Sequence, residues 1–327
     1  MKSFEPPAWL AHRHLQSVLP SLPFRRGAIE RRATALMAAS RDLVLDCGEG
    51  VRLMGRLAEP PAGSSDPARR LAVLLHGWEG SSESLYLLSL SRLLFARGYT
   101  VLRLNFRDHG GTHALNRELF HSCRLPEVVG AVARLQALYP DHRLLLAGFS
   151  LGANFCLRVG AQARVAGIRI ARIVAVCPVL DPATTLDALE RGPAMYRRYF
   201  LFKWRRSLRL KQTAWPGHYD FGALIHDPSL TAMTERMVLK YTDYPDLAHY
   251  LRGYAITEGV LESLDAPAHL ITSTDDPMIL VHDLSRIARP GSLEVTVTPR
   301  GGHCGYMDAF SGPSWIDRLI VEEFDRA

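Results

Sequence analysis

The chain has 327 residues, 47% of them apolar, and 39 lysines and arginines against 33 aspartates and glutamates give it a net charge of +6. That length and apolar content supply a sizeable core, in one large α/β domain or two smaller ones, and exclude a disordered chain. No uncharged apolar run approaches the roughly 18 residues of a membrane span, and Met1 to Pro7 holds no continuous apolar stretch, so neither a span nor a signal peptide is indicated and the cytoplasm is the expected location.

In chain order, an irregular, proline-containing arm is expected to about Arg41. Leu43 to Asp46, the turn Gly48-Glu49-Gly50 and Val51 to Leu57 then read as an antiparallel hairpin. After a Pro/Gly/Ser-rich linker from Glu59 to Pro67, short apolar strands alternate with amphipathic helical stretches, the pattern of right-handed βαβ units and a mostly parallel sheet. Strands are predicted at Leu71 to Leu75, Thr100 to Leu104, Arg143 to Ala147, Ile173 to Cys177, His269 to Thr272 and Leu293 to Thr298. The predicted helices run from Ser84 to Arg97, Glu127 to Tyr139, Leu151 to Ala163, His282 to Ala288 and Pro313 to Asp325. Between Asp181 and Gly253 no clean strand is seen, and residues 181–253 are expected to form a helical cap inserted into a core of 42–180 and 254–327, with 1–41 packed on that core.

The run Gly148-Phe149-Ser150-Leu151-Gly152 lies directly between a predicted strand and a predicted helix. A chain that turns sharply from strand to helix with a strained, exposed serine has no room for flanking side chains, so this is the pattern of a nucleophile elbow. A serine hydroxyl at neutral pH needs a base to take its proton and a third group to hold that base. Asp275-Asp276-Pro277 and Gly301-Gly302-His303 each follow a later predicted strand, so Ser150, a carboxylate and His303 fall at one sheet edge in the order serine, acid, histidine. Between Asp275 and Asp276 the residues alone leave the acid open; whichever is not the acid is expected to cap the following turn. Cys304 is rejected as a nucleophile because no elbow surrounds it. His76-Gly77-Trp78 follows the strand at Leu71 to Leu75, where a second oxyanion donor belongs, and the backbone N–H groups of Trp78 and Leu151 are the candidates. Arg107, Asp108 and His109 are read either as pocket-lining groups or as an Arg/Asp pair pinning a Gly-rich loop.

The basic residues are mostly arginines spread along the chain, which does not indicate a nucleic-acid partner. One segment differs: Arg191 to Lys211 carries eight basic side chains and no acidic one, interleaved with Tyr196, Tyr199, Phe200, Phe202 and Trp204. It reads either as a partly exposed helical lid with solvated arginines or as a surface that touches an acidic substrate or anionic headgroups, the latter as peripheral contact at the inner membrane face. The five cysteines, Cys47, Cys123, Cys156, Cys177 and Cys304, are scattered and without C-x-x-C pairing, so neither a disulfide framework nor a zinc site is expected from their spacing.

The arm Trp9 to Pro20, the loop Asn105 to Thr112 with His121-Ser122, and Gly302-His303-Cys304-Gly305-Tyr306 resemble the YheT-like group of the α/β-hydrolase superfamily, related to eukaryotic α/β-hydrolase-domain lipases. The resemblance implies a Ser-His-Asp hydrolase of carboxylic esters, lipid or short-chain, with no metal or organic cofactor and a small-molecule ester as its partner. It also favours Asp276 as the acid, since the group uses the second aspartate of an Asp-Asp-Pro motif. After His121-Ser122 the chain has Cys123-Arg124-Leu125-Pro126-Glu127, which departs from the group's glycine and acidic residues and matches no acyltransferase motif. The rival readings are acyl transfer on the same triad and a non-catalytic lipid-binding or regulatory protein that uses the basic aromatic segment. The oligomeric state is not legible.

Overall fold

The computed structural model describes residues 4–61, 63, 66 and 68–327. Eight strands form one sheet: β1 (Ser40–Asp46), β2 (Arg52–Ala58), β3 (Arg70–Leu75), β4 (Thr100–Leu104), β5 (Arg143–Phe149), β6 (Ile170–Val176), β7 (Ala268–Ser273) and β8 (Leu293–Thr298), in the order β1-β2-β4-β3-β5-β6-β7-β8. β1, β2 and β4 pair antiparallel, and every other neighbouring pair is parallel. The predicted hairpin and all six later strands are present. Continuous apolar runs such as Leu71 to Leu75 form strands here because helices cover both sheet faces. Alternation then divides each run: Leu71, Val73 and Leu75 enter one core, while Ala72 and Leu74 enter the other.

The first core is covered by α5 (Leu125–Leu138) and α6 (Leu151–Gln162), and the second by α4 (Leu85–Phe95) and α11 (Trp315–Asp325). The arm is not irregular. It folds into α1 (Arg13–Val18), α2 (Arg26–Arg32) and α3 (Thr34–Ala39), because Ile29, Ala33 and Leu36 recur at helical spacing and pack against Leu85 and Leu88 of α4. The helix expected at His282 to Ala288 is a short 3-10 segment, Val281–Arg286. Asp283 in it is buried and accepts a hydrogen bond from the Thr184 hydroxyl, and that packing suits one tight turn better than a longer helix. The linker expected from Glu59 to Pro67 lies partly outside the described residues.

Between β6 and β7 the chain forms α7 (Pro182–Arg191), α8 (Ala194–Ala214), α9 (Leu230–Tyr241) and α10 (Leu247–Arg252), and none of the described residues there is in a strand. Asp181, Ser229 and Asp246 cap α7, α9 and α10 through their side chains. α8 is fixed from below by Lys211, one of the eight basic residues, which is fully buried rather than at a surface. Its ammonium donates to Asp108 Oδ1 at 2.8 Å and to the carbonyl oxygens of Asn116 and Glu118 at 2.6 and 3.0 Å. No helix among the described residues is long and apolar enough to cross a membrane.

Candidate active site

Ser150 joins β5 to α6 at φ 55° and ψ −117°, a region that costs a non-glycine residue roughly 1–3 kcal/mol and persists only where its surroundings enforce it. The enforcement is visible. The Ser150 N–H donates to the Val176 carbonyl at 2.9 Å, and a Cβ on Gly148 would lie 2.3 Å from the Gly152 oxygen. A Cβ on Gly152 would lie 2.4 Å from the Leu75 oxygen, so both glycines answer a close backbone approach as the elbow pattern requires.

His303 follows Gly301 (φ 152°) and Gly302 (φ 54°), a turn that swings the ring over the sheet edge. Its Nδ1–H donates to Asp276 Oδ2 at 2.8 Å. Burial by itself would lower the imidazole's pKa, but the charge of Asp276 and the hydrogen bond to it prevail and raise it above the ordinary 6.5. Asp276 Oδ1 accepts from the N–H groups of Met278 and Ile279 at 2.8 and 3.0 Å. The division of labour expected between the two aspartates is therefore corrected: Asp276 both meets His303 and caps the following turn. Asp275 instead accepts from the Gly302 N–H at 2.8 Å and pins the loop that carries His303.

Two neutral histidines shape the loop after β3. Burial lowers His76 to about 4; its Nδ1–H donates to the Gly77 oxygen at 2.7 Å, and its Nε2 accepts from the Phe106 N–H at 3.3 Å. His109, also far below its ordinary pKa through burial, donates to the Arg107 oxygen at 2.7 Å and accepts from the Glu79 N–H at 3.2 Å. The N–H that follows Trp78 is thereby fixed, and the one that precedes it is held by Tyr86. The Gly77 N–H donates to the Tyr86 hydroxyl at 3.0 Å, and a Cβ on Gly77 would stand 3.3 Å from that of Ser150. Among the described residues neither the Trp78 nor the Leu151 N–H donates to a protein acceptor. Leu151 also begins α6, whose N-terminal end favours negative charge.

Ser150, His303, Trp78 and Leu151 line one cavity of about 100 Å³, with Asp276 behind His303. All five residues singled out in the sequence are thus brought together. The remaining wall is mostly apolar, with His121, Ser122, Thr185 and Thr234 as polar exceptions, and comes largely from α7 to α10, with Phe200 stacked on Trp78 at 5.0 Å and Trp204 edge-on to it at 5.4 Å. Arg107, Asp108 and His109 do not line the cavity. Arg107 is bidentate to Glu127 at 2.6 and 3.1 Å and Asp108 pairs with Lys211, so these residues pin their loop through separate partners and not as the expected Arg/Asp pair. Cys304 is not among the residues lining this cavity; it lines a small neighbouring crevice with Tyr86 and Ser89, and burial holds its thiol well above the ordinary pKa.

Sequence reasoning missed what holds the His303 loop. Ser17 Oγ of α1 accepts from the His303 N–H at 2.9 Å. The fully buried Gln16 side chain donates to the Leu10 and Met307 carbonyls, both at 2.9 Å, and accepts from the Met307 N–H at 2.8 Å. The neighbouring residues of α1, Arg13, His14 and Ser17 among them, are too polar to signal that this glutamine is buried.

Residues 72–311 match the model of the alpha/beta hydrolase family, and the chain belongs to that family. Over 327 residues it is 26% identical to YheT of Escherichia coli (strain K12), covering 98% of this chain and 92% of that protein. It is 24% identical over 213 residues to monoacylglycerol lipase ABHD2 of Bos taurus, covering 58% of this chain and 49% of that one. Among solved structures it is similar to the Pyrococcus furiosus esterase Pf2001, with TM-score 0.57 and 17% identity over 88% of this chain and 92% of the other.

Proposed function

We propose that this protein is a serine carboxylester hydrolase. The observation that carries the reading is the 2.8 Å contact of His303 Nδ1–H with Asp276 at the cavity that also holds the strained Ser150. Ser150 Oγ attacks the ester carbonyl while His303 takes its proton, and the Trp78 and Leu151 N–H groups receive the developing oxyanion. His303 returns the proton to the leaving alcohol. Water, activated by the same imidazole, then releases the acid from the acyl-enzyme. The names of ABHD2 and Pf2001, a monoacylglycerol lipase and an esterase, support this chemistry.

Residues 181–253 act as a cap over a core of 42–180 and 254–327, and the arm 1–41 braces the histidine loop. With about 100 Å³ beneath Trp78, Phe200 and Trp204, the resting cavity suits a short acyl group, and a longer chain requires the cap to move. In p-nitrophenyl ester assays kcat/KM is expected to fall by at least about tenfold from butyrate to palmitate, and Trp204→Ala to narrow that ratio. Failure to hydrolyse any member of the series would defeat the hydrolase reading.

The outward face of α8 presents Met195, Arg198, Tyr199, Phe202, Arg206 and Arg209 at helical spacing, which supports peripheral contact with an anionic bilayer. Sedimentation with phosphatidylserine vesicles is expected to weaken as salt rises; no binding at low salt would remove the membrane contact.

A further inference from the structure

Directly after β6, Cys177 has φ 45°, and Cys304, immediately after His303, has φ 62°. One thiol from the Cys177, one from Cys304 and a ring nitrogen of His303 lie within 4.8 Å of one another. The sequence gives no hint of this, because 126 residues separate the two cysteines and no paired-cysteine motif contains either. The sulfurs have only weak partners: Cys177 Sγ lies 3.8 Å from the Gly302 oxygen and 3.7 Å from the Tyr306 hydroxyl, Cys304 Sγ 3.6 Å from the Val176 oxygen, and the Cys304 N–H points at Cys177 Sγ at 3.4 Å. No strong hydrogen bond has to be broken for either thiol to take another ligand.

We propose that Cys177, Cys304 and His303 form an inhibitory site for a thiophilic divalent cation such as Zn²⁺ or Cd²⁺. The proposal deepens the reading of His303 as the base and rests on it only for the word inhibitory. Two thiolates and an imidazole select a borderline or soft cation, and the trio has no carboxylate ligand to favour Mg²⁺ or Ca²⁺. Zinc bonds of about 2.3 Å to sulfur and about 2.0 Å to nitrogen place tetrahedral ligands about 3.5–3.8 Å apart. The trio therefore contracts by about 1 Å to bind. A disulfide would need the sulfurs at about 2.05 Å, a larger movement, which favours the cation over oxidation. Asp276 supplies the carboxylate–histidine arrangement found behind zinc ligands: by accepting from Nδ1–H it leaves the other ring nitrogen with its lone pair free.

The binding step balances without a redox partner. Two S–H bonds break, two metal–sulfur bonds and one metal–nitrogen bond form, two protons go to solvent, and a water completes the coordination. Once its lone pair is on the metal, His303 cannot take the proton of Ser150, and a chelator restores it.

The test titrates Cd²⁺ into Ser150→Ala protein, which keeps all three ligands, and reads the ultraviolet cadmium–thiolate charge-transfer band and the protons released. One cation per chain and two protons are expected. Cys304→Ser, nearly isosteric, is expected to raise the half-saturating concentration by about tenfold or more, and Cys177→Ala to do the same. Cys156→Ser, which alters a thiol buried elsewhere in the core, is expected to leave it unchanged. In the wild-type chain the same concentrations are expected to abolish ester hydrolysis until EDTA is added. Absence of the band, or a band unchanged in both Cys304→Ser and Cys177→Ala, would overturn the site. Because binding is read without turnover, a protein that binds Cd²⁺ as expected yet hydrolyses nothing would defeat the hydrolase reading alone.

Discussion

Ser150→Ala is expected to lower kcat for p-nitrophenyl ester hydrolysis by about a millionfold, with a residual rate above that of water from the oxyanion donors and binding alone. The size of the effect follows from the role: without Oγ no acyl-enzyme forms, and His303 and Asp276 have nothing to act on. Alanine at φ 55° meets the same backbone strain as serine, and the Ser150 N–H bond to Val176 is a backbone contact that survives the change. The thermal midpoint is therefore expected to move little, which separates lost chemistry from lost fold. A variant that keeps activity within about tenfold of wild type would remove Ser150 from the mechanism.

Asp276→Asn is expected to cost about 10⁴ in kcat, while Asp275→Asn stays within about tenfold of wild type. Asparagine at 276 can still accept from Met278 and Ile279 through one oxygen, but it then turns its amide N–H groups toward His303 Nδ1 and favours the wrong tautomer. Asparagine at 275 keeps an oxygen for the Gly302 N–H and loses only a charge. The pH profile gives a second readout. Burial lowers the pKa of His303 and the Asp276 charge more than restores it, so the wild-type imidazole protonates above 6.5 and kcat/KM is expected to fall on the acid side at that higher pH. Removing the charge at 276 takes away the main opposition to burial, and the acid limb moves to lower pH. A larger loss from Asp275→Asn than from Asp276→Asn would reverse the two assignments.

The elements that position the site were legible because their causes are local. Gly148 answers a steric demand within five residues, and the runs Leu71 to Leu75 and Arg143 to Ala147 declare strands buried on both faces, whereas Gly152 clears the Leu75 oxygen of the neighbouring strand. What escaped depends on contacts made far along the chain. Gln16 meets Met307 across 291 positions, Lys211 meets Asp108 across 103, and neither glutamine nor lysine announces burial in its own neighbourhood. The two aspartates at 275 and 276 are alike in sequence, and only the placement of the Gly302 and His303 loop distinguishes them. Cys177 and Cys304 have no shared motif because the fold, not their spacing, brings their sulfurs together. The arm looks irregular in sequence because its helices are only six or seven residues long, too short to stand without the α4 surface against which α2 and α3 pack.

The central claim is that Ser150 is an activated nucleophile. Labelling the intact protein with a fluorophosphonate and locating the adduct by peptide mass spectrometry tests it most directly. One adduct per chain on Ser150, blocked by prior incubation with a short-chain ester and absent from Ser150→Ala, is the expected result. No labelling of the folded wild-type chain, or an adduct on another residue that persists in Ser150→Ala, would contradict it.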